Sequence, residues 1–312
     1  MLKLHLDTDL GGDIDDLCAL AMVLNWPDVE LLAVTTAADD QGKRAGYARH
    51  VLRLAGREEV AVAAGADVSL DCYRSRPGLP DEAVYWPEPI APAPTPVDEA
   101  LALLERSIEQ GAIIAAIGPY TNLALLEKRS PGILRRASLY LMGGYVFPPR
   151  EGFPPWGNDM DYNIQVDVSS ALAVIQRSSP TLVPLSVTVE TSLRRAYLAT
   201  LRQSGPLAQL IARQAEPFAR DENNEARYGQ TCTGLPEDTI NFQHDPLACA
   251  IALGWNEGVE ISEIPLKTEI EDGWLCQRVD QRGKPTRVVT GVNGSQFNEF
   301  WLNTVVGEDT AA

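Results

Sequence analysis

The feature that most constrains this chain is an acidic stretch placed where a strand gives way to a helix: Leu6-Asp7-Thr8-Asp9-Leu10-Gly11-Gly12-Asp13-Ile14-Asp15-Asp16. The apolar run Leu2 to Leu6 before it, broken by Lys3 and His5, reads as a buried strand. Leu17 to Leu24 after it reads as a helix closed by Pro27. Five carboxylates within ten positions repel one another and lose hydration when partly buried. Helix capping accounts for Asp15 and Asp16 at the positive end of the helix and leaves the others unexplained. Ligands that are all oxygen, with no Cys or His among them, suit a hard divalent cation, Ca2+ or Mg2+.

Downstream, strand and helix patterns alternate. Val29 to Thr36, Val60 to Ala64, Ala112 to Ile117, Ser138 to Met142, Thr181 to Leu185 and Val259 to Ile264 read as strands. Gly42 to Ala55, Val97 to Gln110, Leu123 to Lys128, Val168 to Arg177, most of Leu198 to Ala219, Leu247 to Gly254 and Ser295 to Val306 read as helices. Leu275 to Val289 reads as a hairpin around Gly283. Such alternation predicts an α/β fold with a mainly parallel, Rossmann-like central sheet flanked by helices, in a single domain spanning residues 1–312. Three stretches, 65–96, 145–162 and 220–243, read as loop insertions; the first carries seven prolines between Pro77 and Pro96.

The charge balance narrows the partners. With 26 Lys and Arg against 43 Asp and Glu the chain carries −17, which argues against nucleic acid, whose phosphates need a basic face. Five scattered cysteines without a C-x-x-C pair suggest neither a zinc site nor a disulfide framework. No apolar run reaches the ~18 residues of a membrane span, and the chain opens into a strand rather than a signal peptide, so a cytoplasmic protein is expected.

Several unusual stretches fall at predicted strand ends, and the C-terminal edge of a parallel sheet is where ligands sit. His244-Asp245-Pro246 opens a helix and can face the same edge, although Asp as N-cap and Pro at the first helical position also explain it. Tyr73, Tyr85, Trp86, Trp156 and Tyr228, spread over the three loops, are candidates to sandwich an aromatic ligand, each with ordinary packing as the alternative.

Taken in order, Asp7-Thr8-Asp9-x-Gly, Gly118-Pro119-Tyr120-Thr121-Asn122-Leu123-Ala124, Met142-Gly143-Gly144, Asp161-Tyr162-Asn163 and His244-Asp245-Pro246 resemble the inosine–uridine-preferring nucleoside hydrolase family, calcium-dependent N-ribohydrolases. The resemblance implies hydrolysis of a ribonucleoside to ribose and a free base in nucleoside salvage, with Ca2+ as cofactor and a homo-oligomer, dimer or tetramer, as the assembly. It implies that Asp9 touches Ca2+ and takes a proton from the attacking water. Asp16, Asp245 and the Thr121 carbonyl are implied as further metal ligands, Asp15 and Asn163 as partners of the ribose hydroxyls, and His244 as the acid for the leaving base. Asp40, Asn158 and Asp161 occupy positions where the family touches substrate, each altered: Asp40 stands for an amide, Asp161 for a longer Glu, and Asn158 at a shorter spacing. Leu10 replaces a proline, Gly12-Asp13 are additional, and the loop after Gly65 lacks a His-Gly motif, which leaves the nucleobase and the sugar's 5′ substituent open. Glycosidic cleavage passes through an oxocarbenium-like state that needs nearby negative charge and an activated water. Two alternatives use the same residues differently: a Mg2+ phosphatase of the haloacid dehalogenase type, which also begins strand–Asp-x-Asp, and a non-catalytic nucleoside- or ribose-binding protein.

Overall fold

The computed structural model describes residues 1–70 and 78–307. Its strands are β1 (Leu2–Thr8), β2 (Val29–Thr36), β3 (Ala61–Ala64), β4 (Ile113–Ala116), β5 (Ser138–Met142), β6 (Thr181–Val183), β7 (Ser192–Arg194), β8 (Thr239–Phe242), β9 (Glu260–Glu271), β10 (Trp274–Val279) and β11 (Lys284–Gly291). The helices are α1 (Asp15–Asn25), α2 (Lys43–Leu54), α3 (Glu82–Tyr85), α4 (Val97–Glu109), α5 (Thr121–Arg129), α6 (Tyr162–Gln165), α7 (Val168–Arg177), α8 (Leu185–Thr188), α9 (Leu198–Gln203), α10 (Pro206–Glu222), α11 (His244–Ala252) and α12 (Gly294–Val306).

Nine strands form one sheet in the order β10-β9-β11-β6-β5-β4-β1-β2-β3. From β11 to β3 every neighbouring pair is parallel, as the alternating pattern predicts. The run β3-β2-β1-β4-β5-β6 reverses direction of winding between β1 and β4, which makes a switch point with a crevice at the carboxyl ends of those two strands. Asp7 lies in register with Thr35 on one side and Ala116 on the other. The residues that follow Asp7 and Ala116 therefore meet over that crevice.

Apolar side chains fill both faces. One core gathers α1, α11 and α12 with Leu4, Leu6 and Val34; the other packs α4, α5 and α7 against Ile114, Ala116 and Leu141. Helix α1 is buried all along from Asp15 to Val23, as its unbroken apolar sequence requires.

Two readings of the sequence need correction. Leu275 to Val289 is not a hairpin: β9 lies between β10 and β11 and pairs antiparallel with both. The tight turn closes β9 on β10, at Asp272 and Gly273, both at positive φ (49° and 83°), as a two-residue hairpin loop demands. Only two residues of β9 are buried, Ile264 and Leu266, so its second half lacks the apolar alternation that marks a strand. The stretch 220–243 is not all loop. α10 runs to Glu222, a π-helical turn covers Glu225–Gly229, and β8 pairs with β7. Strands of three and four residues are too short for periodicity to reveal.

Candidate active site

Beyond β1 the chain turns sharply over the switch point. Asp9 crosses the loop after β4 so closely that a Cβ on Gly118 would lie 2.8 Å from Asp9 Oδ1. Gly11, at φ +107°, lies against the Tyr47 ring, and only glycine tolerates that backbone there. Asp16 Oδ1 accepts from the Thr8 hydroxyl and from the Asp9 N–H (3.2 Å). Asp15 Oδ2 accepts the Asp245 N–H (3.3 Å), which joins the first turns of α1 and α11. One carboxylate oxygen each from Asp15, Asp16 and Asp245 lies within 4.8 Å of the other two. Burial, then mutual repulsion, pushes all three carboxyl groups well above the usual range. Burial also raises Asp9, against the pull of Arg44, whose Nη2 stands 3.9 Å from Asp9 Oδ2. Arg44 further donates to the Asp9 and Leu10 carbonyls and, through Nε, to the Ala38 carbonyl (2.9 Å), so it clamps the loop that carries Asp9.

Below the acids lies a buried polar floor. The Thr35 hydroxyl donates to Asp7 Oδ1 (2.6 Å), and Asn122 Nδ2 donates to the same oxygen (2.8 Å). Thr35 Oγ1 therefore accepts from His5 Nε2 (2.9 Å), which leaves His5 Nδ1 to accept from the Ser107 hydroxyl (2.8 Å).

The acids face a cavity of about 480 Å³, the size of a small-ligand site. Aromatic rings line it as well. Trp156 meets Phe242 and Tyr228 edge to face, at centroid distances of 4.9 and 5.2 Å, and Phe242 stacks on the His244 ring at 5.5 Å. His244 pairs through Nδ1 with the Thr188 hydroxyl (2.6 Å), and its desolvated surroundings lower its pKa to about 3. A larger groove of about 670 Å³ runs along the β3 edge between exposed arginines and glutamates, away from these groups.

The cavity brings together Asp9, Asp15, Asp16, Asp161, Asn163, His244 and Asp245 from the residues named by sequence. Asp161 caps α6 and accepts the Gly144 N–H (2.6 Å); Asn163 Nδ2 donates to the Ile117 carbonyl (2.9 Å). Three named residues lie off the cavity. The Thr121 hydroxyl donates to Asp167 (2.6 Å), and the residue at the β4 end that lines the cavity is Ile117, whose carbonyl lies one residue before Gly118. Asp40 is exposed; its neighbour Asp39 turns inward and accepts from the Thr36 hydroxyl and the Arg44 N–H. Asn158 donates to the Leu275 carbonyl (3.3 Å) on β10. Of the aromatics, Tyr85, Trp156 and Tyr228 line the cavity. Trp86 is core, stacked on Tyr47 at 4.2 Å, and Tyr73 falls outside the described residues. Sequence reasoning missed Arg44, Ile117, Asn241 and Phe242. The last two sit one residue short of His244-Asp245-Pro246, with Gln243 between, and that proximity was the available signal.

A doubly wound sheet with a cavity at its switch point, walled by carboxylates that could hold a metal ion, defines an α/β protein of the kind that binds ligands at its sheet edge. The chain belongs to the inosine-uridine preferring nucleoside hydrolase family, whose sequence profile matches residues 4–299. The pyrimidine-specific ribonucleoside hydrolase RihA of Salmonella arizonae is 30% identical over 305 residues, covering 94% of this chain and 88% of that protein. RihA of Klebsiella pneumoniae is 31% identical over 265 residues, covering 80% and 78%. Among solved structures, a plant nucleoside hydrolase superposes with a TM-score of 0.80 at 18% identity, over 98% of this chain and 99% of that one. A purine-preferring ribonucleoside hydrolase from Gardnerella vaginalis gives 0.79 at 21%, over 99% and 100%. At those identities the superpositions establish the shared fold. Among the described residues no helix is long and apolar enough to cross a membrane.

Proposed function

We propose that this chain hydrolyses the N-glycosidic bond of a ribonucleoside, releasing ribose and the free base, with Ca2+ as its cofactor. The observation that carries the reading is the convergence of Asp9, Asp15, Asp16 and Asp245, from opposite ends of the sequence, on one cavity that aromatic rings also line. The donor set fits calcium: the carboxylates offer only oxygen, and their raised pKa values reflect burial and then a mutual repulsion, both of which a cation would relieve. Asp9, Asp16 and Asp245, with a main-chain carbonyl at the β4 end, would hold the ion; Ile117 rather than Thr121 supplies the carbonyl that borders the cavity. When bound, calcium supplies positive charge that draws in sugar hydroxyls and makes a neighbouring water more acidic.

The chain's own groups do the rest. Asp9 takes the proton of the attacking water, and Arg44 holds the Asp9 loop in place by its carbonyls. Asp15, Asp161 and Asn163 hold the ribose hydroxyls, and the surrounding carboxylates stabilise positive charge that grows on the sugar as the bond breaks. His244 stands between the acids and the rings. With its pKa lowered to about 3 the imidazole is neutral near pH 7, so it serves the departing base as a hydrogen-bond donor rather than as an imidazolium. That role needs the proton on Nε2, which requires the Thr188 hydroxyl to donate to Nδ1. The phosphatase alternative gives no role to His244 or Asp245, and the family membership speaks against it.

A ribose-release screen over uridine, cytidine, inosine and adenosine tests the reading. Release with Ca2+, its loss in chelator and its return on adding Ca2+ back are expected; no release from any nucleoside with Ca2+ present would overturn it.

A further inference from the structure

Asp13 belongs to the two residues added to the acidic loop, and it points into the cavity. Its Oδ1 accepts from Asn241 Nδ2 and from the Asp15 N–H (3.2 Å), so it ties the start of the chain to β8. The same Asp13 oxygen accepts the Asp15 N–H, so it meets Asn241 as an acceptor, and the contact fixes which way the Asn241 amide faces: nitrogen to Asp13, oxygen away from it. Asn241 is 3% exposed, and its remaining polar atom, Oδ1, receives no donor from the described residues; the side chain lines the cavity, where that oxygen is offered to a ligand.

Position assigns the ligand's part. Asn241 immediately precedes Phe242, which packs with Trp156 and Tyr228. A nucleobase lying against those rings presents ring N–H or exocyclic amino donors at its edge. We infer that Asp13 and Asn241 form a specificity device: Asp13 is a positioning residue that locks the Asn241 amide, and Asn241 Oδ1 accepts a hydrogen bond from an N–H of the leaving base. The inference rests on the nucleoside reading of the same cavity. It selects bases with a donor at that edge and rejects those in which the donor is methylated, because the site's oxygen is then left unpaired against a methyl group.

Matched pairs read this directly: uridine against 3-methyluridine, and inosine against 1-methylinosine. For each pair the ratio of kcat/KM is measured by ribose release, and the ratio of Kd by calorimetry with Ca2+ present. The wild type should favour the unmethylated partner by about tenfold or more in at least one pair. Asn241→Leu should bring that ratio to within about twofold. Asp13→Ala should do likewise by freeing the amide to turn, and Asp13→Asn, which can still accept from Asn241, should restore much of the discrimination. Asp13 is exposed, so its variants test the idea even if Asn241→Leu fails to fold. No preference in the wild type, or a ratio unchanged in Asp13→Ala and Asn241→Leu, overturns the inference. Absence of ribose release with every nucleoside sinks the hydrolase reading alone, since the Kd ratios still decide this one.

Discussion

The cavity has an acidic part, where Asp9, Asp15, Asp16 and Asp245 crowd buried carboxylates together, and an aromatic part, where Trp156, Tyr228 and Phe242 pack ring against ring. The acidic part is costly as it stands, because burial and mutual repulsion both disfavour its charges, and it is held by rigid elements: two helix starts and the ends of β1 and β4. The aromatic part is comfortable in itself, and it comes from a loop, a π-helical turn and a short strand. The contrast teaches where chemistry and selectivity reside. Groups kept together against their own electrostatics point to a ligand of opposite charge and to bond breaking. Groups that already satisfy each other shape affinity for whatever lies against them.

The largest effect should therefore come from the acidic part. Asp9→Ala removes the proposed base and one metal oxygen together, and ribose release should fall by about 10²–10⁴-fold or more, mostly in kcat. A fall of less than about tenfold would break the contrast, since the costly part would then be dispensable. On the border between the two parts, His244→Ala should cost about 10²-fold with nucleosides. With 4-nitrophenyl β-ribofuranoside, whose leaving group departs without a donor, the cost should be below about threefold. Thr188→Val tests the tautomer: loss of the hydroxyl paired with Nδ1 should reproduce part of that selective loss. Equal losses on both substrates would remove His244 from the leaving-group side.

How much of each part was legible follows from how it is built. The acidic part is written in contiguous stretches, so Asp9, Asp15, Asp16, Asp161, Asn163, His244 and Asp245 could be named and do share the cavity. Asp40 could not be told from Asp39 by spacing; the turn that caps α2 takes Asp39 inward through its bonds to Thr36 and to Arg44 and Ala45 N–H, and leaves Asp40 in solvent. Asn158 is spent on β10, part of an antiparallel wing whose partner β9 carries little apolar signal. Arg44 sits in a helix that reads as an ordinary amphipathic element, and only the close approach of α2 to the Asp9 loop reveals it. The aromatic part has no local signature, because its rings are brought together from loops and from strands too short to register.

In that part the expected effect is smaller and of a different kind. Trp156→Ala should raise KM by about tenfold and leave kcat within about threefold, the pattern of lost binding rather than lost chemistry, since stacking on one aromatic contributes about 1–3 kcal/mol per base. A fall confined to kcat would place Trp156 in the reaction and blur the division between the two parts.

The smallest effect on turnover, and a distinct one on stability, should come from the floor beneath the acids. Burial lowers the His5 pKa from 6.5 to about 3, so His5 is neutral in the fold, its ring bridging Ser107 and Thr35. Between those values the unfolded chain binds more protons than the folded one. The stabilisation is thus complete above pH 6.5 and is lost progressively as pH falls towards 3. Asp7 works the other way: burial raises it from 3.8 to about 6, so its contribution is complete below 3.8 and fades as pH rises through about 6. Asp15, Asp16 and Asp245, also raised, gain stability on the same acidification, so the His5 part is read as a difference: the Tm of His5→Gln, which cannot titrate, should rise relative to wild type between pH 7 and pH 4.5, while kcat at pH 7 changes by less than about threefold. A Tm difference between His5→Gln and wild type that is the same at every pH would mean that His5 does not titrate on unfolding, and the floor would then be no more than packing.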